Sequence, residues 1–244
     1  MNTSRRGVFL ILLISALCPH ANAQLAYGGG PHFGLAFSTF KKPAGDLYGT
    51  GLVFGGHGDL NINKYFSVRL SFDYATFGAD NDKLKGVAAD ASVKAVEEYI
   101  GGPLDAQDNA FVRATVKSAD GARVKAPSVF ASGVGKLPTG SMLTPYALLG
   151  FGITFLGTSD VNFTTDGVRV QNGQTGQIVQ LIPAGSQSIK IDSETKFSMQ
   201  FGAGSEFKLS KLVTLYFEVK YSLIFTGGGS SSYLPLVVGA TFGG

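Results

Sequence analysis

"KFSMQFGAGSEFK", residues 196–208, alternates almost without interruption: Phe197, Met199, Phe201, Ala203 and Phe207 share one parity, and Lys196, Ser198, Gln200 and Glu206 share the other. Successive side chains of a β-strand point to opposite faces, so the stretch predicts a strand with one apolar and one polar face. In a soluble sandwich the apolar face turns into a core. In a transmembrane barrel it turns outward to lipid. The stretch alone fits both, and the rest of the chain decides.

The N-terminus bears on the compartment. Arg5 and Arg6 precede an apolar run from Gly7 to Leu17, and Ala21-Asn22-Ala23 follows. A basic start, an apolar segment and an A-x-A site predict a secretory signal peptide over residues 1–23, with the mature barrel domain over 24–244. Cys18 raises the rival reading of a lipoprotein signal, but Leu17 stands where such sites have a small residue. Cleavage removes Arg5 and Arg6 and no acid, so the net charge of +3 falls to +1. Nothing in that balance points to nucleic acid. Cleavage also removes the single cysteine, which excludes a disulfide scaffold. No later apolar run approaches the roughly 18 to 20 residues of a spanning helix. A membrane location therefore requires strands. With 34 Gly, 19 Phe and no Trp, the composition leans toward strands and turns.

The pattern of residues 196–208 recurs. Strand one holds Phe33, Leu35 and Phe37; strand two runs from about Gly49 to Asn61, with His57, Asp59 and Asn61 on its polar face. Strand three sets Phe66, Val68, Leu70, Phe72 and Tyr74 against Ser67, Arg69, Ser71 and Asp73. Residues 125–136 read as a fourth strand that suits an edge or bulge, because Pro127 interrupts it. Strands over 145–155, 196–208, 214–225 and 233–242 complete a set of eight.

Short turns join strands two to three, four to five and six to seven, at Asn63-Lys64, 138–141 and Ser210-Lys211. The other connections include two very long ones, at about 79–123 and 157–194. Loops sorted long to one end and short to the other predict an antiparallel up-and-down transmembrane β-barrel with long extracellular loops. The first long loop contains an amphipathic stretch, Val87 to Ile100, with Gly101-Gly102-Pro103 as a stop. Asp120-Gly121 and Asp166-Gly167 read as hairpin turns, which would extend the sheet above the membrane or raise the strand count to ten.

One parity of strands three, five, six and seven carries no charge. The other carries Arg69, Asp73, Lys196, Glu206, Glu218 and Lys220. A Lys or Arg on the lipid face near the midplane costs roughly 2 to 4 kcal/mol. The charges are therefore expected to form a lumen network, and Phe72, Phe151, Phe201, Phe217 and Phe225 to face lipid. Gly202 and Gly204 read as small inward positions against which Tyr216 packs.

"MLTPYALLGFGITF", "KFSMQFGAGSEFKLSK", "VTLYFEVKYSLIF" and "YLPLVVGATF" resemble strands five to eight of the outer-membrane protein A-like, opacity-like eight-stranded barrels. The matching features are Pro145-Tyr146, Gly150-x-Gly152, Gly202-x-Gly204 and the terminal Phe242. The resemblance implies residence in a bacterial outer membrane and makes Phe242 part of the signal read by the assembly machinery. Here Gly243-Gly244 displace that signal by two residues. The resemblance covers the strands, and the peptidoglycan-binding domain of some relatives is expected to be absent.

Barrels of this size include structural proteins, adhesins, small-solute pores and lipid-modifying enzymes. His32 and His57 are the histidines that remain after cleavage, and neither sits in a His-x-Ser arrangement. His57 and Asp59 share a parity but read as lumen filler, so no enzyme is expected, with a lipid-modifying hydrolase as the third alternative. The glycine triplets at 28–30 and 227–229 lack the Lys-Ser/Thr of a phosphate loop. No cofactor or metal site is expected, although Asp80, Asp82, Asp105 and Asp108 could bind Ca²⁺ weakly. Tyr146, Leu148, Tyr216 and Val237 point inward and argue against an open pore, which stands second. The expected role is structural or surface-interacting. The expected partners are outer-membrane lipid, the assembly machinery and an unknown extracellular ligand taken up by the loops.

Overall fold

The computed structural model describes residues 26–40, 47–100, 111–120, 122–159, 161–171, 178–189, 193–226 and 229–243. The expected signal peptide, with Cys18 and the start at Gln24, lies outside these residues, as do Gly101, Gly102, Pro103, Asp105, Asp108, Gly121, Gly227 and Gly228.

The described elements are β1 (Ala26–Ser38), β2 (Thr50–Asn61), β3 (Phe66–Gly78), α1 (Asn81–Ile100), β4 (Phe111–Asp120), β5 (Arg123–Lys136) and β6 (Leu143–Thr158). They continue with β7 (Val161–Gln171), β8 (Ile178–Ile182), β9 (Gly185–Ile189), β10 (Glu194–Lys208), β11 (Val213–Thr226) and β12 (Gly229–Phe242). Eight of the strands close an antiparallel barrel in the order β1-β12-β11-β10-β6-β5-β3-β2. The seam is made by the first and last strands, with Phe33 opposite Val238 and Leu35 opposite Leu236. Closure leaves none of these eight strands with an unpaired edge.

The alternation divides inside from outside. On β3, Ser67, Arg69, Ser71, Asp73, Ala75 and Phe77 are buried, and Phe66, Val68, Leu70 and Phe72 are exposed. Phe151, Phe201, Phe217 and Phe225 are likewise on the outer wall. There Phe151, Phe197 and Phe225 stack across three neighbouring strands, with centroids 6.2 and 5.7 Å apart.

Residues 125–136 are not an edge. Strand β5 pairs with β3 on one side and with β6 on the other. Pro127 lacks an N–H, so the β5–β6 register lapses between Lys125↔Gly157 and Ser128↔Thr154 and then resumes. Pro31 in β1 and Pro235 in β12 coincide with similar lapses, next to His32↔Gly239 and Ser222↔Tyr233. A closed ladder tolerates one missing bond per proline because the flanking pairs hold the strand.

The two expected hairpins are replaced by something larger. Strand β4 pairs with β7, from the other long loop, and not with β5. The chain therefore passes from an outer sheet into the barrel near Asp120. Strand β7 runs straight through Asp166-Gly167, where a bulge lets Ala114 face Val168 and Val116 face Thr165. Its far side pairs with β8 and then β9. The extra strands form their own four-stranded sheet, so the barrel count is eight and not ten. Helix α1 begins six residues before the expected Val87 because the Asp80 carboxylate caps it. That carboxylate accepts the N–H of Asp82 at 3.0 Å and of Lys83 at 3.3 Å.

Glycines inside the barrel face tyrosines, though with a different pairing from the expected one. Tyr216 lies over Gly239, its partner across the β11–β12 ladder, and Tyr146 lies over Gly204 across β6–β10. A Cβ on Gly239 would stand 2.5 Å from Tyr216 Cζ and 2.7 Å from the Pro31 carbonyl. Gly202 instead meets Lys220. Gly239→Val should therefore destabilise the barrel by about 1 to 3 kcal/mol. The check is the urea midpoint of the heat-modifiable gel band in detergent, and an unchanged midpoint would contradict this packing.

Candidate functional site: a filled lumen beneath a two-loop sheet

A barrel of eight strands has an interior that side chains fill. Here they fill it in layers. At the short-turn end Lys136 Nζ donates to Glu206 Oε1 at 2.8 Å and lies 3.3 Å from Asn61 Oδ1. Above this, the Arg69 guanidinium forks onto Asp59: Nε donates to Oδ1 at 2.7 Å and Nη2 to Oδ2 at 2.9 Å. Its Nη1 donates to Glu218 Oε2 at 2.8 Å, and Tyr146 Oη donates to the same oxygen at 2.8 Å. The rings of Tyr146 and Tyr216 stand 5.6 and 5.4 Å from the guanidinium carbon. Planar Arg suits this place because one group satisfies two carboxylates and lies against two rings.

The chain of charge continues upward. Glu218 Oε1 lies 3.5 Å from Lys220 Nζ, which donates to Asp73 Oδ2 at 2.9 Å. The other Asp73 oxygen, Oδ1, accepts from His32 Nε2 at 2.6 Å. All these groups are buried. Next comes a hydroxyl ladder, with Ser198 donating to Thr154 at 2.7 Å, Thr154 and Ser128 2.8 Å apart, and Gln200 Nε2 donating to Ser132 at 2.9 Å. The long-loop end is apolar. Phe77 packs edge-on to Phe40 at 5.3 Å and to Tyr233 at 5.6 Å, and Ile224, Val53 and Tyr48 close around them.

Four of the six charges expected in one network, Arg69, Asp73, Glu218 and Lys220, form a continuous chain. Glu206 instead pairs separately with Lys136 at the turn end, and Lys196 pairs with Glu194 at 2.6 Å on the long-loop rim. Both sit too near a barrel mouth to reach the centre. Asp59 and His32 join the central chain without having been placed there in advance. The parity of strand two marks Asp59 as inward, but the β1 pattern read from Phe33 onward stops one residue short of His32.

The geometry around His57 is not that of a catalytic triad. Its Nε2 lies 3.0 Å from Thr241 Oγ1 and 3.8 Å from Asp59 Oδ2, while Nδ1 faces Tyr216 Oη at 3.2 Å. A hydroxyl to be activated and a carboxylate to orient the ring belong on opposite ring nitrogens. Here Thr241 and Asp59 approach the same one, the hydroxyl on the opposite nitrogen is the buried phenol of Tyr216, and Asp59 is already held by Arg69. Among the described residues no group of three or more His, Cys, Asp or Glu could hold a metal. Asp80 is used as the helix cap, and Asp82 pairs with Lys85 at 3.1 Å.

Above the barrel, the sheet in which β4, β8 and β9 all pair with β7 joins the two long loops, and α1 packs against β4. Phe242, at the end of β12, is 54 % exposed on the outer wall, paired with Gly29 and Val213.

Removing Arg69 strands two buried carboxylates. Arg69→Met is expected to lower unfolding free energy by about 3 to 5 kcal/mol, and Arg69→Met/Asp59→Leu/Glu218→Leu to recover most of that. Urea titration of the folded band measures both. A single variant as stable as the parent would contradict the clamp.

A family model described as outer membrane protein beta-barrel domain matches residues 8–242. Among solved structures, Neisserial surface protein A is 13 % identical, with 91 % of this chain and 99 % of that one covered and a TM-score of 0.48. Ail of Yersinia pestis, solved with the heparin analogue sucrose octasulfate, is 17 % identical over 88 % and 99 %, at 0.41. The outer membrane protease OmpT from Escherichia coli is 7 % identical over 93 % and 99 %, at 0.43. A search of curated proteins returns no match.

Proposed function

Because this chain belongs to the outer membrane protein beta-barrel domain family and resides in the bacterial outer membrane, we propose that it is a plugged, non-enzymatic barrel that presents a binding surface outside the cell. The observation that supports this reading is the pairing of β4 with β7. Two loops that closure of the barrel does not require are tied into one sheet, and long ordered loops on a rigid scaffold are where binding surfaces are built. A loop sheet also orders a ligand-contacting backbone in advance, which lowers the entropy cost of binding.

A passive pore is the second reading, and two features weigh against it: the aromatic plug of Phe77, Phe40 and Tyr233, and the Arg69 chain below it. Reconstituted in planar bilayers, the protein is expected to be silent, and discrete stable openings would favour the pore. A hydrolase needs an activated nucleophile, which the His57 surroundings do not provide.

The binding reading is tested on cells displaying either the parent or a variant with residues 111–120 and 161–189 replaced by short turns. Adhesion to immobilised heparin and to extracellular-matrix proteins is measured for both. The variant is expected to keep its heat-modifiable mobility and lose adhesion at least tenfold. Equal adhesion by both, or none by the parent, would overturn it.

A further inference from the structure

We propose that the short-turn end of the barrel is a docking collar for anionic phospholipid headgroups in the periplasmic leaflet. In an outer-membrane barrel the short turns face the periplasm. The exposed charges at this end, among the described residues, are Lys64, Lys208 and Lys211, all of one sign. Its other charged residues at the mouth, Lys136 and Glu206, neutralise each other at 2.8 Å. The opposite end mixes signs, with Asp80, Asp82, Lys83, Lys85, Asp90 and Lys94 in one loop.

Each lysine at the turn end is followed by a large exposed apolar residue: Lys64-Tyr65, Lys136-Leu137, Lys208-Leu209 and Lys211-Leu212. Leu137 and Leu212 are 69 % and 68 % exposed. Leucines so open to water at the ends of membrane strands are accommodated when the turns dip into the headgroup layer. The adjacent ammonium then reaches the phosphates while its stem lies along apolar surface. Lys64 Nζ also stands 4.9 Å from the Tyr65 ring centroid, an aromatic and a cation paired at the level where both are favoured.

Barrel order places the collar on more than one side. The β2–β3 turn holds Lys64, and the β10–β11 turn flanked by Lys208 and Lys211 lies across the barrel from it, since β2 stands four strands from β10, and β3 four from β11, in the ring of eight. A single soluble partner would bind one side. A lipid annulus meets both, which favours lipid over a periplasmic protein.

Spin-labelled phosphatidylglycerol and phosphatidylcholine report the test, each at trace level with the full-length protein in phosphatidylcholine vesicles. The immobilised fraction should favour phosphatidylglycerol by about fivefold, the scale of one lysine at an anionic surface. Lys64→Gln/Lys208→Gln/Lys211→Gln should bring the ratio to parity with heat-modifiable mobility unchanged, and the corresponding Arg triple should retain it. If the Gln triple fails to fold, Lys64→Gln and Lys211→Gln singly should each reduce the ratio. A parental ratio of one, a preference that survives the substitutions, or one that survives 1 M salt would overturn the proposal. So would parity in vesicles with retention of the parent on purified peptidoglycan.

Discussion

In hydrocarbon a backbone amide has no water to bond, so a sheet that crosses a membrane must satisfy every N–H and C=O within itself. The closed ladder from β1 round to β12 does this outside the lapses at three prolines, and the rest of the molecule depends on it. Closure makes the alternation of each strand absolute, with one parity to lipid and the other to a narrow interior. It also lets the strands carry Pro31, Pro127 and Pro235, each at a local lapse in one ladder.

The interior then poses its own problem, because charges excluded from the lipid face are forced together in a space without bulk water. Arg69 resolves much of it by serving Asp59 and Glu218 at once, and Lys220 and His32 together satisfy Asp73. Such a chain is weak evidence for stability, since desolvation offsets the attraction, but it is intolerant of losing one member. Tyrosines laid over glycines on the next strand, Tyr216 on Gly239 and Tyr146 on Gly204, provide the volume the charges leave. The aromatic cluster at the long-loop mouth completes the filling. A barrel so packed puts the two proposed recognition surfaces at its ends: long loops of mixed charge at one and a lysine-rich collar at the turns.

Most of the barrel was legible because period-two alternation is a local property. Strand β3 could be read residue by residue from Phe66 to Tyr74, and its parity placed Arg69 and Asp73 inside. Pro127 misled because a proline is read as an edge only if the strand has an edge, and a barrel has none. Asp120-Gly121 and Asp166-Gly167 misled for a related reason. A two-residue turn signal is local, whereas the partner of β4 lies in a loop some fifty residues away in sequence.

The sequence by itself determined that the chain alternates, that the charges of β3, β10 and β11 share one parity and that its long loops share one end. Those facts follow from side-chain chemistry and chain order, which need no neighbours. Only the tertiary structure decided which charge meets which, that His32 and Asp59 join the chain while Lys196 and Glu206 leave it, and that two loops become one sheet. Register around a closed barrel sets which residues of non-adjacent strands face each other across the lumen, and no pattern within a single strand carries that information.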